Sequence, residues 1–131
     1  MNDTGGLTEL SLFSGYGGMS LGLRLAGLKT TTIGYVEVDT YAVKIIRQRQ
    51  VDGWLSEAPV FGDIRRFLRE GWCELYQGVD LITAGWPCQD ISVAGHGAGI
   101  KGEKSGLWKE TFECIRILRP RWCILELSLI H

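Results

Sequence analysis

The sequence predicts an α/β fold in which helices pack against a parallel β-sheet of about five strands. Three observations support this prediction. Short apolar or β-branched runs of strand length alternate along the chain with segments whose apolar residues recur at helical spacing. Strands that alternate with helices in this way pair in parallel through right-handed crossovers. The 131 residues, of which 45% are hydrophobic and 22% charged, suffice for one domain with a buried core.

The first half of the chain contains three strand candidates and three helix candidates. The predicted strands are residues 10–13, 30–36 and 59–61. The predicted helices are residues 19–26, 41–50 and 65–70. Gly27 is expected to cap the end of the first helix, and Asp39 or Thr40 the start of the second.

The second half continues the alternation and contains one long loop. The predicted elements are a buried strand at residues 79–84, a helix at residues 107–118 and a last strand at residues 122–125. The segment Gly85-Trp86-Pro87 is expected to end the buried strand, and the helix stops before Pro120. Residues 93–106 hold five glycines and form the long loop, which is a common location for function.

A glycine turn and two carboxylates predict a binding site for a nucleotide-type cofactor. The turn Ser14-Gly15-Tyr16-Gly17-Gly18 joins the first strand to the first helix, where a ligand can approach the backbone. Glu37 ends the second strand, where a carboxylate can bind ribose hydroxyls, and Asp63 ends the third, within reach of an adenine amino group. The alternative interpretation is a glycine turn with ordinary helix-capping carboxylates. A full dinucleotide fingerprint would place glycine where the chain has Ser20.

Cys88 is the candidate nucleophile of the chain. It lies in Gly85-Trp86-Pro87-Cys88-Gln89, directly after the fourth strand and at the same sheet edge as the glycine turn. An accessible or stabilised thiolate at this point can attack a substrate, and the glycine loop that follows can act as a lid. The alternative interpretation is a small buried hydrophobe, which we assign to the other cysteines, Cys73, Cys114 and Cys123.

Composition argues against several classes of function. No C-x-x-C pair occurs, so no structural metal site is expected. The net charge of -1 gives no electrostatic sign of nucleic-acid binding, so that function must be inferred from motifs. The first residues do not resemble a secretory signal, and no run of about 18 apolar residues predicts a membrane span. We therefore expect a cytoplasmic protein that contacts no membrane.

Five motifs, taken together, resemble those of the DNA cytosine-C5 methyltransferases in order and spacing. They are Phe13-Ser14-Gly15-Tyr16-Gly17-Gly18, Glu37-Val38-Asp39, Gly62-Asp63-Ile64, Gly85-Trp86-Pro87-Cys88-Gln89-Asp90-Ile91-Ser92 and Ser105-Gly106-Leu107-Trp108. The fourth motif is the most specific of the set. The resemblance extends over residues 8–126, which is most of the chain.

The resemblance implies a Rossmann-like fold that binds S-adenosylmethionine and methylates C5 of cytosine in double-stranded DNA. The target cytosine would be flipped out of the duplex, and the Cys88 thiolate would attack its C6 atom. The implied catalytic residues are Cys88, Pro87, Gln89 and Glu126, and Gln89 and Ser92 would also contact the flipped base. The implied cofactor residues are Phe13, Ser14, Gly15, Tyr16, Gly17, Gly18, Glu37, Val38, Asp63, Ile64 and Leu107.

The end of the chain departs from the family's pattern. The family's next motif is Glu-Asn-Val, whereas Glu126 is followed by Leu127 and Ser128, and leucine cannot supply the hydrogen bonds of asparagine. The target-recognition region of the family does not follow. We therefore expect residues 1–131 to be a partial catalytic domain with little or no sequence-specific activity alone. A complementing polypeptide that carries the missing motifs is the expected partner.

Three other interpretations stay open at the level of sequence. The chain could be an inactive remnant or one half of a split methyltransferase. It could be a transfer-RNA cytosine methylase of the same family. It could also be a Rossmann-like enzyme that uses a dinucleotide, although Ser20 and the Pro-Cys-Gln turn argue against this.

Overall fold

A computed structural model describes residues 6–87 and 107–128, and these ranges form one five-stranded sheet with flanking helices. The strands are β1 (Leu7–Leu12), β2 (Thr30–Val36), β3 (Val60–Phe61), β4 (Leu81–Pro87) and β5 (Trp122–Ser128). The helices are α1 (Gly18–Leu25), α2 (Thr40–Val51), α3 (Ile64–Arg69) and α4 (Leu107–Leu118), with a 3-10 helix at Cys73–Tyr76. The predicted alternation of strands and helices is confirmed.

All strand pairs are parallel, and the strand order in the sheet is β3-β2-β1-β4-β5. The chain moves outward from β1 to β3 and then returns to the other side of β1 to add β4 and β5. In open parallel sheets, ligands bind beyond the carboxyl ends of the strands at the point where this order reverses. A ligand-binding site is therefore expected at the carboxyl ends of β1 and β4.

The predicted bounds of three strands are wrong. The fourth strand does not stop at Gly85, because β4 continues to Pro87 and pairs with the similarly longer β5, whose last residue is Ser128. The first strand begins at Leu7 and ends before Phe13, which lies in the following turn. The short 3-10 helix was not predicted, since four residues are too few to show a helical period.

One face of the sheet, here called the apolar face, carries the larger hydrophobic core. Leu10 and Leu12 of β1 and Ile82 of β4 are fully buried there. They form one cluster with side chains from α3, the 3-10 helix and α4, including Phe67, Cys73, Tyr76, Cys114 and Leu118. Burial of this apolar surface is the main force that holds these helices to the sheet.

The opposite face, here called the hydroxyl face, is unusually polar for a buried surface. Its strands contribute Glu9, Ser11, Thr32 and Thr83, each no more than 3% exposed. Ser20 of α1 bonds to Glu9 on this face, so α1 packs over these polar side chains. A smaller apolar cluster of Tyr35, Ile46 and Leu55 lies beside them.

The predicted helix caps agree with the structure. The Asp39 carboxylate accepts a hydrogen bond from the Tyr41 amide at 2.9 Å and so caps α2. Asp63, for which helix capping was the alternative interpretation, caps α3 in the same way through the Arg65 amide at 2.8 Å. Gly27 follows the C-cap residue of α1 with a φ of 96°, a left-handed conformation that glycine adopts without strain.

The cysteine predictions are confirmed at two positions and wrong at a third. Cys73 and Cys114 are buried, and a hydrogen bond between them lowers the pKa of Cys73 and raises that of Cys114. Cys123, predicted to be buried, is exposed. The reason is that β5 is an edge strand, and within residues 6–87 and 107–128 its Trp122 is likewise 58% exposed. No helix in these ranges is long and apolar enough to cross a membrane.

Candidate cofactor and catalytic site

The glycine turn after β1 adopts a conformation that its sequence explains. Gly15 and Gly17 have φ values of 59° and 82°, in the left-handed region that other residues avoid. A Cβ atom on Gly17 would lie 2.6 Å from the Leu55 Cδ1 atom, so close packing also requires glycine there. Phe13 adopts a φ of 51° without being glycine, and such strain tends to occur at functional sites.

Glu37 connects the glycine turn to the end of β2. Its Oε1 atom accepts a hydrogen bond from the Gly15 amide at 2.7 Å, and its Oε2 atom accepts one from the Asp39 amide at 2.9 Å. The turn is held to β2 a second time by the bond from the Ser14 amide to the Val36 carbonyl at 3.2 Å. Each carboxylate oxygen keeps a further lone pair, so Glu37 can still accept a bond from a ligand.

Two cavities open at the carboxyl ends of the strands. The first, here called the Glu37 cavity, has a volume of about 370 Å³ and lies between the ends of β1, β2 and β3. It is lined by Phe13, Gly15, Val36, Glu37, Val38, Gly62, Asp63, Ile64, Arg65 and Gly85. A nucleoside needs polar contacts for its ribose and apolar contacts for its base. The carboxylates of Glu37 and Asp63 can supply the polar contacts, and Ile64 and Val38 the apolar ones.

The second cavity, here called the Glu126 cavity, has a volume of about 620 Å³ and lies between α1 and the strands β4 and β5. It is lined by Ser11, Leu12, Phe13, Ser14, Gly15, Gly18, Met19, Gly22, Leu23, Thr83, Gly85, Ile124 and Glu126. Phe13, Gly15 and Gly85 line both cavities, which therefore meet at the ends of β1 and β4. One elongated ligand could occupy both.

The glycines where the cavities meet leave room for a ligand. Gly15 lines both cavities, and a Cβ atom added to it would have no other atom within 4 Å. A Cβ atom on Gly85 would lie 3.5 Å from a Glu126 oxygen and 3.6 Å from the Met19 methyl group, where the walls converge. Side chains at either position would reduce the space that the two cavities share. The residues present therefore fit a nucleotide-type cofactor that crosses this junction.

The structure brings most of the predicted site residues together. The predicted residues that line one or both cavities are Phe13, Ser14, Gly15, Gly18, Glu37, Val38, Asp63, Ile64 and Glu126. Tyr16 and Gly17 line neither cavity: the Tyr16 ring packs edge-on against Tyr41 at 6.0 Å, and Gly17 packs against Leu55. Pro87 is the last residue of β4 and Leu107 the first residue of α4. Cys88, Gln89 and Ser92 lie outside the described residues.

Several wall residues of the Glu126 cavity were not predicted from the sequence. Met19 and Leu23 occupy successive turns of α1, and Thr83 and Ile124 lie on paired strands, where they are register partners. The sequence gives little indication that these residues line a cavity, because each would also suit an ordinary position in the core. The strand order that places them side by side is not visible in any local pattern. Among the described residues, no group of three potential metal ligands is found.

Alternating parallel topology, a glycine turn after β1 and a carboxylate after β2 define the class of Rossmann-like nucleotide-binding folds. Solved structures of low sequence identity share this fold. The match to a methyltransferase from Agrobacterium tumefaciens covers 99% of the present chain and 41% of the methyltransferase, with a TM-score of 0.53 and 21% sequence identity. The match to TrmN from Thermus thermophilus covers 89% of the present chain and 30% of TrmN, with a TM-score of 0.52 and 19% sequence identity.

The family model of the C-5 cytosine-specific DNA methylases matches residues 7–127 of the sequence. The chain therefore belongs to this family. A type II methyltransferase of Bacillus subtilis, M2.BsuMI, is 40% identical over an alignment of 121 positions that covers 89% of the chain and 28% of the relative. The type II methyltransferase M.CviJI of Paramecium bursaria Chlorella virus IL3A is 34% identical over 91% of the chain. The chain spans less than a third of either relative, 28% and 29% of their lengths.

Proposed function

We propose that this chain forms the cofactor-binding and nucleophile-bearing part of a DNA cytosine-C5 methyltransferase that uses S-adenosylmethionine. The observation that carries the proposal is the pair of cavities that meet at Gly15 and Gly85, beside the family's own motif residues. A nucleoside-sized cavity and a second cavity next to α1 match a cofactor that consists of adenosine joined to a methionine.

The adenosine would lie in the Glu37 cavity. The Glu37 carboxylate is fixed by two backbone amides and would accept hydrogen bonds from the ribose hydroxyls. Ile64 is 3% exposed and would pack against the adenine, together with the more exposed Val38. Asp63 uses its Oδ1 atom to cap α3, which leaves the other oxygen for the adenine amino group.

The methionine part would extend into the Glu126 cavity, towards the start of α1. This helix begins after Gly17 with no side chain that caps its first amides. Free first-turn amides and the helix dipole favour an anionic group such as the methionine carboxylate. Phe13 and Gly15 would contact the centre of the cofactor, where the cavities meet.

The reacting groups would converge just beyond the end of β4. When bound, the cofactor supplies the methyl group for C5 of the flipped cytosine. Cys88 follows Pro87 at the end of the strand, and its thiolate would attack C6 of the base. After methyl transfer, loss of the C5 proton would expel the thiolate from C6 and restore the ring. Glu126 is the register partner of Gly85 and would bind the base at N3 and its amino group, with Gln89 and Ser92 contributing further polar contacts.

Recognition of the DNA target would require a complementing polypeptide or further parts of the protein. The outer strand β5 exposes Trp122, Cys123 and Ile124, an unfavourable arrangement for apolar side chains on a sheet edge. This chain spans less than a third of two relatives. The rest of each relative is long enough to contain elements that cover the corresponding strand. We therefore expect the chain alone to methylate no specific DNA sequence.

Isothermal titration of the purified chain with S-adenosylmethionine tests the cofactor site directly. We expect saturable binding that Glu37→Ala weakens by at least tenfold, because a charge-assisted contact to a ribose hydroxyl is worth about 1.5–3 kcal/mol. Glu57→Ala is the matched control, since Glu57 is exposed and lines neither cavity. Absence of binding by folded wild-type chain would contradict the proposed cofactor site.

Covalent trapping tests the nucleophile. In the presence of S-adenosylmethionine, duplex DNA that contains 5-fluorocytosine traps a methyltransferase, because after attack at C6 and methyl transfer to C5 the fluorine cannot leave as a proton would. In a preparation that contains the complementing polypeptide, the wild type and Cys123→Ser should form a denaturant-stable adduct, and Cys88→Ser should not. An adduct that survives Cys88→Ser would exclude Cys88 as the nucleophile.

A further inference from the structure

Glu9 is a fully buried carboxylate that the proposed site does not use. It lies on β1 with 0% exposure, on the hydroxyl face of the sheet. Its Oε1 atom accepts a hydrogen bond from the Thr32 hydroxyl at 2.6 Å, and its Oε2 atom accepts two, from Ser20 at 2.8 Å and from Thr83. The donors come from β2, α1 and β4, so Glu9 joins three elements at once.

Three hydroxyl groups surround the Glu9 carboxylate and can all donate to it. Hydrogen bonds donated to both oxygens stabilise the charged form of a carboxylate. None of the ion pairs within residues 6–87 and 107–128 includes Glu9. Burial of an unpaired charge is costly, and three neutral hydroxyls compensate for only part of the lost hydration. In its charged form, Glu9 has no cation among the described residues to neutralise its potential.

This negative charge lies directly behind the wall of the Glu126 cavity. Thr83 lines that cavity, and its hydroxyl proton is donated to Glu9. The Thr83 oxygen is thereby left with acceptor lone pairs and no proton for the cavity side. Ser20, the second donor to the same carboxylate oxygen, follows Gly18 and Met19, which also line the cavity.

We infer that Glu9, acting through Thr83, makes the pocket discriminate between the positively charged methyl donor and its neutral product. The inference rests on the proposed function of the cavities. The methionine end of S-adenosylmethionine carries a sulfonium, an ammonium and a carboxylate, with a net charge of +1. The same end of S-adenosylhomocysteine carries no net charge. A fixed negative charge behind a wall of low dielectric favours the first and leaves the second unaffected.

Other carboxylates at the cavities are less suited to this role. Glu126 is exposed, so water and salt screen its charge. Both oxygens of Glu37 already accept bonds from backbone amides, and Glu37 lines the other cavity. Glu9 alone of these three is fully buried, and the bond from Thr83 is its direct connection to the cavity wall. Glu9 is thus a positioning residue that sets the preference of the pocket without touching the cofactor.

The test compares two ligands in two proteins by isothermal titration. Glu9→Gln keeps the size of the side chain and removes its charge. We expect the dissociation constant for S-adenosylmethionine to rise about five- to tenfold, and that for S-adenosylhomocysteine to rise less than about twofold. Ser20→Ala is the matched control, because it removes one donor to Glu9 and keeps the charge. It should change both constants by the same factor.

Each outcome has a distinct meaning. Equal weakening of both ligands by Glu9→Gln would show a structural role only and would overturn the inference, as would no change at all. Failure of the wild-type chain to bind either ligand would refute the proposed cofactor site, and the inference with it. If Glu9→Gln does not fold, ¹³C NMR of the Glu9 carboxyl in the wild type replaces it. A shift on saturation with S-adenosylmethionine but not with S-adenosylhomocysteine supports the inference, and equal shifts contradict it.

Discussion

The two faces of the sheet are both buried, but different forces hold them together. On the apolar face, Leu10, Leu12 and Ile82 have no polar side-chain atoms and pack in one cluster of mainly aromatic and aliphatic side chains. On the hydroxyl face, Glu9 and Thr83 are as deeply buried and are connected by directional hydrogen bonds. The apolar face stabilises the fold through the apolar surface area that it removes from water. The hydroxyl face gains less stability and instead fixes α1, and with it the glycine turn, in one position relative to the strands.

The largest expected effect comes from a truncation on the apolar face. Phe67 is 1% exposed, and its ring lies 4.9 Å from that of Phe61 and 6.0 Å from that of Tyr76. Phe67→Ala should lower the free energy of unfolding by about 3–5 kcal/mol, which is a large fraction of the stability of a domain this size. Urea unfolding followed by circular dichroism measures this loss. Leu75→Ala, at a position that is 70% exposed, should stay within about 0.5 kcal/mol of the wild type.

The second effect concerns the glycine turn that the hydroxyl face positions. Gly17→Ala places a side chain at a φ of 82° and 2.6 Å from Leu55, which is itself 3% exposed. We expect a loss of about 2–3 kcal/mol from backbone strain and overpacking together. Gly53→Ala is the matched control, because its φ is 84° and nothing lies within 4 Å of the added atom. It should cost only about 1 kcal/mol, and equal losses would show that the contact with Leu55 is unimportant.

A smaller effect is expected from a single hydroxyl on the hydroxyl face. Thr32→Val keeps the shape of the side chain and removes the bond to Glu9, so we expect a loss of about 1–2 kcal/mol in urea unfolding. Thr31→Val is the control, since Thr31 lies on the same strand and is exposed. A loss at Thr32 as large as that of Phe67→Ala would mean that the hydroxyl face, too, is a principal source of stability.

The sequence predicts the apolar face better than the hydroxyl face, for a physical reason. Apolar runs and helical periods are local, so the strands and helices that build the apolar core can be identified without knowledge of their neighbours. The glycine turn, Glu37 and Asp63 likewise lie at strand ends, and Gly15 and both carboxylates line the Glu37 cavity. The partners of Glu9 lie 11, 23 and 74 residues away along the chain, so their meeting depends on the register of the sheet.

Register also contains an irregularity that no pattern predicts. The pairing of β1 with β2 shifts between Glu9 and Leu10, whose partners are Thr32 and Gly34, so Ile33 is an extra residue in β2. Gly34 then lies against the Tyr76 hydroxyl, which a Cβ atom there would approach to 2.6 Å. Ser20 illustrates the same limit: the sequence identified it as a departure from a glycine fingerprint, and the structure gives it a partner in Glu9.

The smallest expected effect leaves stability unchanged and compares the covered centre of the sheet with its open edge. In a Cys88→Ser background, Cys123 should be the one thiol that reacts rapidly with a disulfide reagent in the native state, because Cys73 and Cys114 are buried. Partial burial raises the pKa of Cys123, so the thiolate fraction should be lower than in a free cysteine and the rate should keep rising above about pH 9. Labelling of Cys73 or Cys114 in the native state as fast as that of Cys123 would contradict the difference between the covered centre of the sheet and its open edge.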